Sequence, residues 1–465
     1  MKMVKSLILG SAAGLVAIAG AQAADLPVKA KPVQYVKICS LYGAGFYYIP
    51  GTDTCIKVGG FLRAEMNFNA NGSYNPYRVV NFDSPARNRE VTRWRAAVTL
   101  DVRSQTEYGT LRSYVLIAPT GTNGQAIGGT PYVDGNTGTY VNAAFVQFAG
   151  FTAGSTASFF DFDTNPYSNF TNTWGSNQAG NGQPVFAYTA QFGAGWSATI
   201  SAEDATVRRQ AIFDPTFVAG SGAAPGAANG YGGRRWPDVV ANLRIDQAWG
   251  SAQLMGALHD VYAGTAPGFA TTSSATGWAI GGGVKFNLPT VGPKDYVIAQ
   301  LAYAKGATNY NESNGAAGGT VEALSTGFPG VTNTALGVSF DAVQTTLGGH
   351  LDLAKSWSIT GGYEHFWNPM WKTSLFGAYG KVQYSAAASA VLSAAAGFPG
   401  TSADWSLWQI GSRTVWTPVQ NLDLSVDVIY TDLNKSSFSN VVGPPTHDGK
   451  GFLSGMFRVQ RNFWP

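Results

Sequence analysis

The stretch RWRAAVTLDVR, residues 93–103, alternates between polar and apolar residues except at Ala97. Trp94, Ala96, Val98, Leu100 and Val102 are apolar, while Arg93, Arg95, Thr99, Asp101 and Arg103 are polar or charged. A period of two marks a β-strand whose faces meet opposite environments. The preceding segment repeats it. Ile56, Val58, Leu62, Ala64, Met66 and Phe68 oppose Lys57, Arg63, Glu65 and Asn67. A slip of one residue would exchange the two faces, so the alternation fixes register. A turn at 106–110 follows, and the third strand carries Arg112 on its polar face.

The same rule returns far along the chain. Asn242, Arg244 and Asp246 alternate with Ala241, Leu243 and Ile245. Asp423, Ser425, Asp427 and Thr431 alternate with Leu422, Leu424, Val426, Val428 and Tyr430. In Phe452–Phe463, Leu453, Phe457, Val459 and Phe463 oppose Ser454, Arg458, Gln460 and Asn462. Arg461 breaks that pattern and suits a membrane rim, where its head can reach the headgroups.

A soluble sandwich of this length would need several domains, and no linker separates such domains. One closed barrel, apolar outside and polar inside, explains every strand with one rule. Only 12% of the residues are charged, 13% are aromatic and 58 are Gly, as many half-apolar strands require. Tight links at 105–109, 193–195, 248–251, 288–294 and 417–421 alternate with long polar segments. The long segments lie near 70–90, 118–139, 161–183, 205–236, 262–276, 306–340, 385–403 and 434–450. Eight long loops imply sixteen antiparallel strands, with the short turns on the periplasmic side. Both 342–353 and 356–367 look extended, which would give seventeen. Trp367-Asn368-Pro369 matches Trp416-Thr417-Pro418 as a short turn, so parity assigns 356–367 to the barrel and makes 342–353 an excursion of the long loop or a strand extension. Trp357, Trp367, Trp371, Trp405, Trp408, Trp416, Phe463 and Trp464 crowd strand ends, as interfacial girdles would.

The N-terminus reads as an export signal over residues 1–23. Lys2 and Lys5 precede an apolar run from Leu7 to Ala21, and Ala21-Gln22-Ala23 offers a cleavage site. The apolar run of about fifteen residues is shorter than the roughly 20 that cross a bilayer. Residues 24–54 then form an N-terminal periplasmic segment, and 55–465 the barrel. Without Lys2 and Lys5 the chain carries 28 basic and 27 acidic residues, which gives nucleic acid no general attraction. Cys39 and Cys55 are expected to form one disulfide, since two cysteines without a nearby His are too few for a metal. Closing a loop of about 17 residues stabilises by roughly 3 kcal/mol.

The run FVQFAGFTAGSTASFFDFDTNPYSNFTNTWGSNQAGNGQ, residues 145–183, combines strand and polar loop. Phe145–Phe160 reads as two barrel strands joined at Gly150, and 161–183 as a loop that folds inward. Its Asp161 and Asp163 are expected to face Arg93, Arg95, Arg103 and Arg112 across a narrowed gap. Lys57, Arg63, Glu65, Arg244, Asp423 and Asp427 face the interior by parity.

Several segments resemble alphaproteobacterial (Rhizobiales-type) outer-membrane porins. They are the Cys39–Cys55 segment with the following IKVGGFLRAE, TEYGTLRSY at 106–114 and FVQFAGFTAG at 145–154. SFFDF at 158–162, WQIGS at 408–412 and the closing FRVQRNF are similar too. The resemblance covers essentially all of the chain after the signal. It implies a homotrimer of 16-stranded barrels in the outer-membrane lipid, each with a water-filled pore narrowed by the third loop. It also implies passive diffusion of small hydrophilic solutes and ions. One departure is that Trp464-Pro465 follow the terminal aromatic Phe463.

Nothing in the chain points to an enzyme, a cofactor or a metal. His259, His350, His365 and His447 are scattered, and no phosphate loop, G-x-S-x-G elbow or HExxH helix occurs. Gly281-Gly282-Gly283 lies in a strand and reads as close packing or barrel bending rather than nucleotide binding. The expected function is a general diffusion channel; a substrate-specific channel of the same fold, for a sugar for example, is the alternative.

Overall fold

The computed structural model describes residues 37–68, 90–122, 136–162, 165–170, 173–175, 182–213, 230–263, 273–312, 321–325, 334–346, 349–395, 399–435, 438–439 and 451–463. The proposed signal, Asp163 and Trp464-Pro465 lie outside the described residues.

Period-two segments become strands in the expected places. The first five are β1 (Cys55–Phe68), β2 (Glu90–Thr106), β3 (Gly109–Thr122), β4 (Asn136–Phe148) and β5 (Phe151–Thr156). Next come β6 (Gln183–Gly193), β7 (Trp196–Glu203), β8 (Asp238–Gln247), β9 (Gly250–Ala263), β10 (Ser273–Asn287) and β11 (Tyr296–Lys305). The last five are β12 (Lys355–Asn368), β13 (Trp371–Gln383), β14 (Trp405–Val419), β15 (Leu422–Lys435) and β16 (Phe452–Asn462). Each pairs antiparallel with its sequence neighbour, and β16 pairs back onto β1 from Phe61↔Asn462 to Phe68↔Gly455. Sixteen strands therefore close into a barrel with no free edge, the condition for strands in lipid. Tyr47–Tyr48 adds only a two-residue extension to β1.

Burial follows parity. Leu62, Trp94, Val98, Leu243, Val426 and Leu453 are exposed on the outer wall, while Glu65, Asn67, Arg93 and Thr99 are buried inside. Short turns and long loops segregate to opposite ends as expected. The β4–β5 turn is Ala149-Gly150, both at positive φ (48° and 88°), which matches a two-residue hairpin twist. The Trp-x-Pro segments both lie at the short-turn end, where Trp371 and Trp416 stack at 5.6 Å.

The segment 342–353 does not enter the barrel. Ala342–Gln344 pairs antiparallel with Leu351–Leu353 and parallel with Ile212–Phe213, so it links the fourth and sixth long loops. Residues 386–395, expected within a loop, form a helix; its alanine-rich sequence favours that state. Ala388 and Leu392 pack with Phe213, Phe340 and Val343 in a shared cluster of three loops.

Candidate pore constriction

After Thr156 the chain turns into the barrel. Phe160 meets Tyr310 edge-on, with ring centroids 4.7 Å apart. Phe162 lies where a Cβ on Gly283 of β10 would stand, Tyr167 does the same over Gly362 of β12, and Trp174 over Gly380 of β13. Tyr167 also stacks on Phe376 at 5.4 Å, and Trp174 packs edge-on against Trp405 at 5.2 Å. Glycines leave shallow seats on the inner wall, and the loop's aromatics fill them. Burying Phe160 alone is worth about 1.5–3 kcal/mol.

Polar bonds hold the loop between these seats. Ser168 Oγ donates to Asp427 Oδ2 at 2.7 Å, and Asn169 Nδ2 to Ser425 Oγ at 2.8 Å. Trp174 N donates to Gln409 Oε1, and Arg413 Nη2 to the Pro166 carbonyl, each at 2.7 Å. The loop leaves β5 and touches β10, β12, β13, β14, β15 and β16, so it crosses the interior.

The expected arginine cluster divides in two. Arg93 and Arg95 on β2 stand opposite Glu65 and Arg63 on β1. Glu65 pairs with Arg63 at 3.7 Å, and also with Arg93 and with Arg458 of β16. Arg458 Nη1 donates to Asn169 Oδ1 at 3.1 Å, which places this group where the loop meets the wall. Arg95 lies over the Tyr140 ring at 4.5 Å. Arg103 and Arg112 are elsewhere: both bind Asp101, at 2.7 and 3.0 Å, beside the short β2–β3 turn. Six residues separate Arg95 from Asp101, about 20 Å along a strand. Parity told which face these arginines share, but not their height in the barrel.

Asp161 also departs from expectation. It pairs with Arg208 from the fourth long loop, and both side chains are sealed from water. Burial opposes the charge on Arg208, and the Asp161 carboxylate, together with Tyr310 and Glu203, more than offsets it, raising the guanidinium's pKa. Of the remaining lumen residues, Arg244 forks onto Asp246 at 2.8 Å, Asp423 accepts from Thr417 near the short-turn rim, and Asp427 holds the loop. Lys57 donates to the Ala44 carbonyl at 3.2 Å. That carbonyl belongs to the loop closed by the Cys39–Cys55 disulfide, which forms as expected. Arg208 was not singled out in the sequence, and no periodicity marks it. Arg458 and Arg413 are inward by parity.

Above the loop lies a buried polar cluster. His259 Nδ1 is 2.8 Å from Asp238, and Tyr310 donates to the same carboxylate at 2.7 Å. Asp341 accepts from Tyr231 at 2.8 Å, from Gln210 N at 2.7 Å and from Thr308 N at 2.8 Å. Burial, and then Asp341, push the Tyr231 phenol well above its ordinary range, so it remains a donor. The fourth and sixth loops are therefore fastened to β8 and β9. Among the described residues no group of His, Cys, Asp and Glu has the arrangement of a metal site.

A closed sixteen-stranded barrel, apolar outside, charged inside and crossed by its third loop, is an outer-membrane β-barrel of the pore type. The chain belongs to the porin family: residues 25–456 match the profile of the Porin subfamily. It is similar to porin Omp2b of Brucella abortus (strain 2308), 33% identical over 255 residues, 53% of this chain and 64% of that one. Omp2b of Brucella suis biovar 1 (strain 1330) is similar to the same extent. The match thus spans less than two thirds of these relatives' length. Among solved structures, the outer membrane channel DcaP of Acinetobacter baumannii shares the fold with a TM-score of 0.60. That comparison covers 90% of this chain and 99% of DcaP at 14% identity.

Proposed function

We propose that the protein is a diffusion channel of the outer membrane, passing small hydrophilic solutes and ions down their gradients. The observation that carries this reading is the loop fastened across a charged interior by Tyr167, Asn169 and Trp174. A loop so held narrows the passage without a moving part, leaving size and charge to select. The narrowing lies between the loop and the group formed by Arg63, Arg93, Arg95 and Arg458. Arg103 and Arg112 line the exit beyond it.

The protein assembles as a homotrimer in this reading. β5 has six residues, fewer than the about 9–11 that cross a bilayer, while its own Phe151 and the adjacent Val146 and Phe186 are exposed on the outer wall. A wall that low suits contact with another subunit better than lipid.

Swelling of proteoliposomes in neutral sugars tests the function. The rate should fall steeply with solute size and be blind to sugar identity. No swelling with any solute would remove the channel reading, and swelling confined to one sugar would favour a substrate-specific channel.

A further inference from the structure

We propose that Lys305, Lys355 and Lys381, on the outer wall at the long-loop end, form a docking site for a phosphate-bearing lipid of the outer leaflet.

The three lysines lie on the neighbouring strands β11, β12 and β13. Lys305 stands directly opposite Lys355. Lys381 stands opposite Trp357, two residues further along β12. Each lysine shares the parity of an exposed apolar residue on its own strand, Leu301, Ile359 or Leu375, so all three belong to the face that meets lipid. Lys305 closes β11 before a long loop and Lys355 opens β12 after it, which sets the group at the outer rim. Trp278 is the other partner of Lys305 across the sheet. Its ring lies 5.4 Å from that of Tyr303, and the Trp357 ring 5.0 Å from that of Tyr379. Such an aromatic girdle marks the headgroup level.

The charge of this patch is unrelieved. Like charges directly opposite one another destabilise a strand pair. Among the described residues none of the three side chains makes an ion pair or hydrogen bond, whereas the inward Lys372 pairs with Glu364 at 3.1 Å. The acids on either flank take hydroxyls instead: Ser385 Oγ donates to Asp352, and Tyr430 Oη to Asp432 at 3.3 Å. A phosphate among the three ammonium groups removes the repulsion, each Lys acting as a compact point charge. Their flexible stems let the heads rise from the apolar band to that level.

The surroundings favour a lipid. Leu301, Ile359 and Leu375 continue the patch down an apolar wall, which suits acyl chains and gives a free phosphate nothing. The patch also stands nearly across the ring from β5, whose low wall suits contact with another subunit.

The test titrates the full protein, in non-ionic detergent, with bisphosphorylated lipid A and reads bound lipid by native mass spectrometry. The wild type should retain lipid A in preference to phosphatidylcholine, whose own ammonium offsets its phosphate. Raising salt from about 0.1 M to 1 M should weaken retention, as the screening length falls from about 10 to 3 Å. Joint replacement by Lys305→Gln, Lys355→Gln and Lys381→Gln should weaken binding about a hundredfold, and Lys355→Gln alone about fivefold. Arg461→Gln, at the opposite rim, should change nothing. Equal retention of phosphatidylcholine, or unchanged binding by the triple variant, would overturn the proposal. Displacement of the lipid by an equal concentration of inorganic phosphate would overturn it in favour of a site for the free ion. A changed oligomeric state of the triple variant would overturn it in favour of a subunit contact. If the triple variant fails to fold, the wild-type lipid preference and Lys355→Gln decide the matter.

Discussion

Asp161 and Arg208 form an ion pair closed to water, with side chains 3% and 2% exposed. The third loop is thereby tied to the fourth, and not only to the barrel wall. A buried pair is costly to break because the survivor stays charged without a partner.

Asp161→Asn should accordingly destabilise the loop by about 3–5 kcal/mol, leaving Arg208 uncompensated. Joint replacement with Arg208→Met should recover part of the loss. Hydrogen exchange at residues 157–162 measures both, and equal exchange in all three proteins would contradict the pairing.

The glycine seats give a steric test. Gly380→Ala places a methyl where the Trp174 ring lies, so the indole must leave. Overpacking of this kind costs about 1–3 kcal/mol. Trp174 should gain solvent exposure, seen as a red-shifted emission component lost in a matched Trp174→Phe background. Gly256→Ala, where the nearest atom would be 3.7 Å away, should change neither emission nor conductance.

Removing the disulfide with Cys39→Ser and Cys55→Ser should cost about 3 kcal/mol in the local opening of the segment. Chymotrypsin should then cut at Tyr42, Phe46, Tyr47 or Tyr48, while the barrel itself resists. Resistance of the segment in the double variant would mean that its contacts with Lys57 and Arg103 suffice.

Asp295, in the turn between β10 and β11, accepts from His365 Nδ1 at 2.6 Å, Tyr363 at 2.7 Å and the Phe366 backbone at 2.9 Å. Burial raises its pKa, but these bonds together lower it below the usual carboxylate range. A depressed carboxylate stabilises the fold above its unfolded pKa and loses that effect as pH falls through the folded one. Exchange at residues 288–295 should quicken only in acid below the ordinary Asp range. Asp295→Asn should remove the pH dependence.

The barrel was legible because lipid and water act on alternate residues, and that period survives in a stretch as short as Arg93–Val102. Turn and loop lengths then set the strand count. Partners across the interior were not legible. Asp161 and Arg208 are 47 residues apart in non-periodic loops, and only the fold brings them together. Arg93 and Arg112 share a face, so parity grouped them, but strand register puts Arg112 beside Asp101, far from Glu65. The glycines of β10, β12 and β13 carry no visible label either. The close packing expected at Gly283 proves to be a seat for Phe162.

The central claim is that the third loop sets the width of the passage. Its most direct measurement is the single-channel step in planar bilayers, for the wild type and for a protein in which residues 165–175 are replaced by a short Gly-Ser link. The account predicts uniform steps from the wild type and distinctly larger ones from the excised protein. Equal steps from the two proteins would contradict it.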